Sequence, residues 1–233
     1  MTTTLRTILF ALSIFISIPN FSQGQTISDL ESAMEDFRDA EIFTENFSLD
    51  ITHNQFLGDI NGTDAKWNSI GLNLGFMSDK AFGVSDFSFA YGFRFAFNNF
   101  RNNGYLNIVD SLSATQLEAL PEEVSRDKYK FTTNFFELPL ELRFRHDGAD
   151  RMIRFTLGGV IGWRMRVFEH WTDGDLRYKE YNYADVNKFR YGAFARLGFK
   201  NIGLYAGYYF TPIFKNSESS TLNILNFGLN IAF

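Results

Sequence analysis

From residue 43 the chain alternates apolar and polar positions with a period of two, in eight separate segments. They begin at Phe47, Ile70, Phe87, Phe131, Ile153, Phe189, Ile202 and Leu225. The third reads Phe87, Phe89, Tyr91, Phe93, Phe95, Phe97 on one side and Ser88, Ala90, Gly92, Arg94, Ala96 on the other. The fifth keeps phase from Ile153 to Val167, with Arg154, Thr156, Gly158, Gly162, Arg164 and Arg166 opposite. A period of two places alternate side chains on opposite faces of a ribbon, so eight β-strands are predicted. The fourth slips phase between Phe131/Phe135 and Leu138, where a bulge is expected, and Pro139 fits there or beside a missing ladder bond.

The joins alternate as well. Those at about 54–66, 98–128, 168–187 and 211–221 are long, and those at about 78–83, 146–151 and 200–202 are short. Long loops at one end and tight turns at the other mark an up-and-down outer-membrane barrel. An even strand number returns both termini to the short-turn, periplasmic side. The face opposite the apolar one decides between this and a soluble sandwich. A water-facing strand side should carry Lys, Thr and Glu; here it carries Gly, Ala, Ser and Arg. Glycine weakens a solvated strand but makes room inside a narrow barrel. The strands also exceed the five or six residues of an ordinary soluble strand. The expected fold is therefore an all-β, eight-stranded antiparallel up-and-down transmembrane β-barrel over 43–233, with outer-membrane lipid against its apolar face. Trp67, Phe97, Phe100, Phe168 and Phe210 would form one aromatic girdle, and Phe76, Phe144 and Phe199 the other.

Two segments precede the barrel. Residues 1–24 read as a signal peptide: Arg6, then an apolar stretch from Ile8 to Ile18, then Pro19, with cleavage after Ser22 or Gly24. Eleven apolar residues are too few to span a bilayer as a helix. Residues 25–42 read as a short amphipathic helix and linker on the periplasmic side. Ser28 and Glu31 make a capping box, and Ile27, Leu30, Met34 and Phe37 follow at helical spacing.

Composition narrows the function. The 233 residues carry 22 Lys+Arg against 27 Asp+Glu, and this net acidic balance argues against a nucleic-acid partner. Zero Cys excludes disulfides and thiolate chemistry. Aromatic residues reach 18%, with 28 Phe, which suits a lipid-facing surface. No cofactor is expected. The acidic stretches Asp59, Asn61, Asp64 and Asp173, Asp175 offer fewer oxygens than calcium requires, so no metal is expected either.

The last strand, Asn226-Phe227-Gly228-Leu229-Asn230-Ile231-Ala232-Phe233, resembles the C-terminal assembly signal of outer-membrane barrels. Asn226, Gly228, Ile231 and Phe233 carry that resemblance, and it implies the barrel-assembly machinery as a partner. The segment Phe136-Glu137-Leu138-Pro139-Leu140-Glu141-Leu142-Arg143-Phe144 resembles the mid-barrel strand of the PorT-like outer-membrane barrel family. That resemblance implies an eight-stranded barrel without one fixed activity, and it makes secretion or envelope proteins expected partners.

Candidate chemistry lies in the lumen. Asp50, Asp86, Glu137 and Glu141 are expected there with Arg94, Arg143, Arg145, Arg154, Arg164, Arg166, Arg190 and Arg196. Charges in a narrow barrel must pair or meet water. They form either a closed plug or a narrow anion-preferring path, the plug being favoured. A lipid-modifying enzyme would need a His beside a Ser and an acid. His53, His146 and His170 have no Ser at two-residue strand spacing, so no catalytic residue is assigned. The long loops carry the remaining case. A short helix capped by Ser113 is predicted within 98–128, and Trp171, Tyr178, Tyr181 and Tyr183 are candidate contacts in 168–187. The overall expectation is an outer-membrane protein with a structural or protein-interaction role in the envelope.

Overall fold

The computed structural model describes residues 47–58, 63, 66–82, 85–109, 114–119, 127–148, 151–173, 176–181, 185–216 and 219–233. The chain divides into Met1–Glu41 and Ile42–Phe233, and every described residue belongs to the second unit. The predicted signal peptide and helix lie outside the described residues.

Among the described residues eleven strands occur: β1 (Phe47–Gly58), β2 (Ile70–Ala81), β3 (Phe87–Phe100), β4 (Gly104–Val109), β5 (Ala114–Ala119), β6 (Asp127–Gly148), β7 (Arg151–Asp173), β8 (Leu176–Glu180), β9 (Phe189–Phe199), β10 (Ile202–Tyr209) and β11 (Leu222–Ala232). Eight of them close a barrel in the order β6-β3-β2-β1-β11-β10-β9-β7, and β6 pairs with β7 to complete the ring. All pairings are antiparallel. Closure leaves no edge among these eight, so the ladder of each strand is satisfied on both sides. The eight alternating segments of the sequence are these eight strands.

The other three strands belong to the long connections. β4 and β5 form a hairpin of their own, Gly104↔Ala119 to Val109↔Ala114. The helix predicted from Ser113 is therefore a strand. Its backbone is held by groups distant in sequence: the Thr115 N–H donates to Ser219 Oγ at 2.8 Å and the Leu117 N–H to Ser220 Oγ at 3.0 Å. β8 extends β7 into a second protruding hairpin, Glu169↔Glu180 to Asp173↔Leu176.

The irregularity expected in β6 lies in its partner. Asn134 pairs with Arg166 and Phe135 with Arg164, so Met165 of β7 is the extra residue. A bulge reverses the faces beyond it. Before it, Arg154, Thr156 and Val160 face inward; after it, Val167 and Glu169 do. Within β6 the phase is constant from Tyr129 to Arg143, and the register with β7 shifts between Asp127 and Lys130. The apparent slip arises because Phe131 and Phe135 point into the barrel, 1% and 4% exposed. Pro139 sits where the β3–β6 register is interrupted, between Tyr91↔Leu140 and Arg94↔Glu137. A residue without an N–H is tolerated at such a gap.

The two faces are inverted relative to a water-soluble barrel. Leu138, Leu140, Leu142, Phe155, Leu157, Ile161, Leu197, Leu204, Phe227 and Leu229 are all exposed on the outside. The buried interior holds Asp50, Asn73, Arg94, Glu137 and Glu141, each at most 1% exposed. Aromatic pairs run along the outer surface, including Phe47–Phe76, Phe76–Phe93 and Tyr191–Phe210. Phe100 is an exception to the predicted girdle. It points inward, 2% exposed, and stacks on Phe56 at 4.2 Å.

Candidate functional site: the lumen and its cap

Each inward side chain is placed by strand register, and register brings together groups far apart in sequence. Arg94 on β3 stands opposite Glu137 on β6. Its Nε and Nη2 both lie 2.7 Å from Glu137 Oε2. Arg190 of β9 reaches the other oxygen, with Nε to Oε1 at 2.8 Å, and the Tyr209 hydroxyl donates to the same atom at 2.9 Å. One carboxylate thus holds two guanidiniums and a phenol.

Toward the short-turn end, Arg196 donates to both oxygens of Asp50, at 3.0 and 2.9 Å, and through Nη1 to Glu141 at 2.7 Å. Asn230 adds a bond to Asp50 at 2.7 Å. Arg143 takes the second Glu141 oxygen at 2.7 Å and reaches Asp79 at 3.2 Å, where Arg145 also binds. The result is an alternating ladder: Arg190, Glu137, Arg94, then Asp50, Arg196, Glu141, Arg143, Asp79, Arg145. The Arg94–Asp50 step, 3.9 Å, joins its two halves. Charge-assisted bonds of this length satisfy nearly every carboxylate oxygen, which is the condition for burying charge at acceptable cost.

Aromatic rings fill the remaining space. Phe194, 3% exposed, stacks on Tyr205 and carries the Arg94 and Arg196 guanidiniums at 4.8 Å each. Arg190 lies between the Phe135 and Tyr209 rings at 3.8 and 3.9 Å. A planar cation against aromatic faces keeps both electrostatic and packing contacts. Gly158 makes this possible: a Cβ there would stand 2.4 Å from the Phe194 ring.

Above the ladder lie Asn54 and Asn226, bonded at 2.9 Å, and then an apolar layer. Phe56, Phe100, Phe131, Leu222 and Ile224 of the barrel pack there with Leu106 and Leu117 of the β4–β5 hairpin and with Ile213 and Phe214. The Leu106 N–H donates to the Tyr129 hydroxyl, which in turn donates to buried Glu169. A bridge between Val186 and Phe214 and a bond from the Asn187 N–H to the Ile213 carbonyl tie the other loops together. The long-loop mouth is thereby capped. Among the described residues, one recess lies beside Arg143, Arg154 and Arg196 and another beside Phe135 and Arg190. The Glu137 and Asp50 clusters stand between them.

Of the twelve expected lumen residues, Asp50, Arg94, Glu137, Glu141, Arg143, Arg145, Arg154, Arg190 and Arg196 line the interior. Three do not. Asp86 lies in the β2–β3 turn, 45% exposed, and meets His146 at 2.9 Å. Arg164 sits at the rim and donates to the Val186 carbonyl. Arg166 is turned outward by the Met165 bulge and is exposed. Asp79, Tyr205, Tyr209 and Phe194 complete the ladder without having been singled out from the sequence. The acid and the tyrosines sit on the predicted inward phase. Phe194 breaks it, an aromatic on a glycine-rich face opposite Gly158.

Asn226 of the terminal strand is fully buried in the asparagine layer, and Gly228 passes the β1 backbone closely, a Cβ there meeting the Ile51 carbonyl at 2.0 Å. Ile231 lies opposite Leu49 and Ile202. Phe233 is exposed beside Phe47. Among the loop aromatics, Trp171 stacks on Tyr178 at 5.5 Å and Tyr181 packs on Phe168 at 5.8 Å; Tyr183 lies outside the described residues. Of the acidic loop positions, Asp59, Asp64 and Asp175 also lie outside them.

No family model and no curated protein matches this chain. Among solved structures, the crystal structure of Neisserial surface protein A is similar to it at 12% sequence identity and a TM-score of 0.34, covering 80% of this chain and 96% of that one.

Proposed function

We propose that this chain is an integral outer-membrane barrel with a structural or protein-interaction role, its lumen serving as a plug and its loop end as the working surface. The observation that carries this is the pairing of an apolar outer belt with an interior of mutually bonded charges. Exposed Leu, Ile and Phe around a whole ring of strands cost free energy in water and none in hydrocarbon. Buried arginines bound to carboxylates on other strands fix register rather than conduct. The first barrel strand then begins, and the last one ends, at the short-turn end, on the periplasmic side. A transport role is disfavoured by the cap and by the ladder between the two recesses. An enzymatic role is disfavoured by the histidines' surroundings: His53 packs on Phe227 and bonds the Trp67 carbonyl, while His146 meets Asp86.

The secretion-linked role implied by the PorT-like segment 136–144 is a finer form of the same proposal. Assembly through the barrel machinery belongs with it, supported by the exposed terminal Phe233.

The test is threefold. Unboiled protein should migrate faster than boiled protein on a detergent gel, and monodispersity in plain buffer would refute the membrane assignment. Planar bilayers should show no steady conductance; reproducible anion-selective channels would replace the plug with a pore. Deletion should impair secretion or release secretion components from co-purification, and an unaffected secretome would remove the finer role.

A further inference from the structure

At the long-loop end of the barrel, three neighbouring strands present one outward row of bases. Lys130 of β6 pairs with His170 of β7, and His170 with Lys179 of β8. Arg101 follows Phe100, whose partner Phe131 follows Lys130, so it continues the row on the β3 side. Beneath the row, Phe168 lies 6.0 Å from both the Lys130 and the Lys179 ammonium, and Tyr181 packs against it. Arg166, turned outward by the bulge at Met165, extends the basic surface one step further down. The phase reversal at Met165 is what puts Phe168 and His170 on the outside at all.

The position relative to the belt is defined by the same strand. On β7 the outward residues Ile153, Phe155, Leu157, Ile161, Trp163 and Met165 are apolar and exposed. Lys130 and His170 lie beyond that stretch. Phe168 and His170 are two positions apart on the strand, roughly 5 Å along the bilayer normal for a tilted strand. The row therefore stands just above an aromatic contact, where lipid headgroups begin.

Among the described residues no carboxylate forms an ion pair with Arg101, Lys130 or Lys179. The acidic pair of that sheet, Glu169↔Glu180, is one register step away on the opposite face, and Glu169 is buried against Tyr129.

We propose that Arg101, Lys130, His170 and Lys179, with Arg166 below them, bind the phosphate groups of a phosphorylated glycolipid in the outer leaflet, whose acyl chains then lie along the apolar belt. Several cations in a row above lipid-facing aromatics match a headgroup carrying more than one phosphate, each lysine supplying a point charge. The proposal rests on the outer-membrane assignment made above.

The test uses the full chain folded in detergent micelles, with native mass spectrometry counting bound lipid. The probes are a bis-phosphorylated glucosamine-disaccharide lipid and its dephosphorylated counterpart. The wild type should retain the phosphorylated lipid at least tenfold better. A triple variant, Arg101→Gln, Lys130→Gln and Lys179→Gln, should lose that preference while keeping heat-modifiable mobility. Inorganic phosphate at millimolar concentration should not displace the lipid; full displacement would reduce the site to one for free phosphate and overturn the lipid assignment. Equal retention of both lipids, or an unchanged preference in the triple variant, would overturn it too. So would capture of acidic peptides by this row in preference to the lipid. A chain that fails to enter micelles or vesicles would instead sink the membrane assignment, a result visible before any lipid is counted.

Discussion

Glu137 and Arg94 stand directly opposite each other on adjacent strands, bonded at 2.7 Å and withdrawn from solvent, although 43 residues separate them in the chain. Glu137 also holds Arg190 and Tyr209, so its removal strands two guanidiniums at once. Glu137→Ala is expected to cost about 3–5 kcal/mol of unfolding free energy, the range for breaking a buried ion pair from one side. Urea unfolding of the barrel in vesicles, followed by tryptophan fluorescence, measures it. A change below about 0.5 kcal/mol would show that the ladder does not hold the fold, since that is the scale of neutral surface substitutions.

Gly158 and Phe194 form a second test of the interior. An alanine methyl at 158 would stand 2.4 Å from the ring, and the ring is held between Arg94, Arg196 and Tyr205. Gly158→Val should destabilise by about 1–3 kcal/mol, as overpacking does. Adding Phe194→Leu should recover part of the loss. Additive effects of the two substitutions would contradict the contact.

The lipid face makes an opposite prediction for charge. Leu204 is 61% exposed in the middle of β10, flanked by Leu197 and Leu229. Leu204→Arg should cost about 2–4 kcal/mol in a bilayer, whereas Tyr178→Arg on the protruding hairpin should cost about 0–1 kcal/mol. Vesicle refolding titrations compare the two. Equal costs would mean that the belt does not meet hydrocarbon.

The end of the chain separates assembly from stability. Phe233 is exposed and touches Phe47 at a ring distance of 6.0 Å. Phe233→Ala should lower the yield of barrel assembled in cells several-fold and leave the midpoint of unfolding in vesicles nearly unchanged. Equal loss in both assays would make Phe233 a packing residue and not a signal.

His53→Ala and His170→Ala should leave lipid A and phospholipid hydrolysis or acyl transfer at background. Any activity present in the wild type and lost in either variant would establish an enzyme.

Much of this architecture was readable because a ribbon with one lipid face and one crowded interior has a strict two-residue period. Where an inward position happens to be apolar, that period fails. Phe100, Phe131 and Phe194 all face the lumen, where an apolar cap and cation–aromatic stacking need them. Hydropathy alone cannot tell a ring against lipid from a ring against a guanidinium. The β5 segment Ala114–Ala119 illustrates the same limit for secondary structure. Its residues suit a helix, but pairing with β4, and the bonds its N–H groups donate to Ser219 and Ser220, make it a strand.

The sequence by itself determined the eight strands and their inside-out polarity, because alternation and strand number are local properties. Which arginine meets which acid was decided only by closure of the ring: Arg196 and Asp50 are 146 residues apart and share a layer through β1, β11, β10 and β9. The bulge at Met165 was equally a tertiary decision. A single extra residue, invisible in composition, moved Arg166 from the lumen to the outer surface and aligned Lys130, His170 and Lys179 into one row. Register is a relation between strands, and no strand carries it alone.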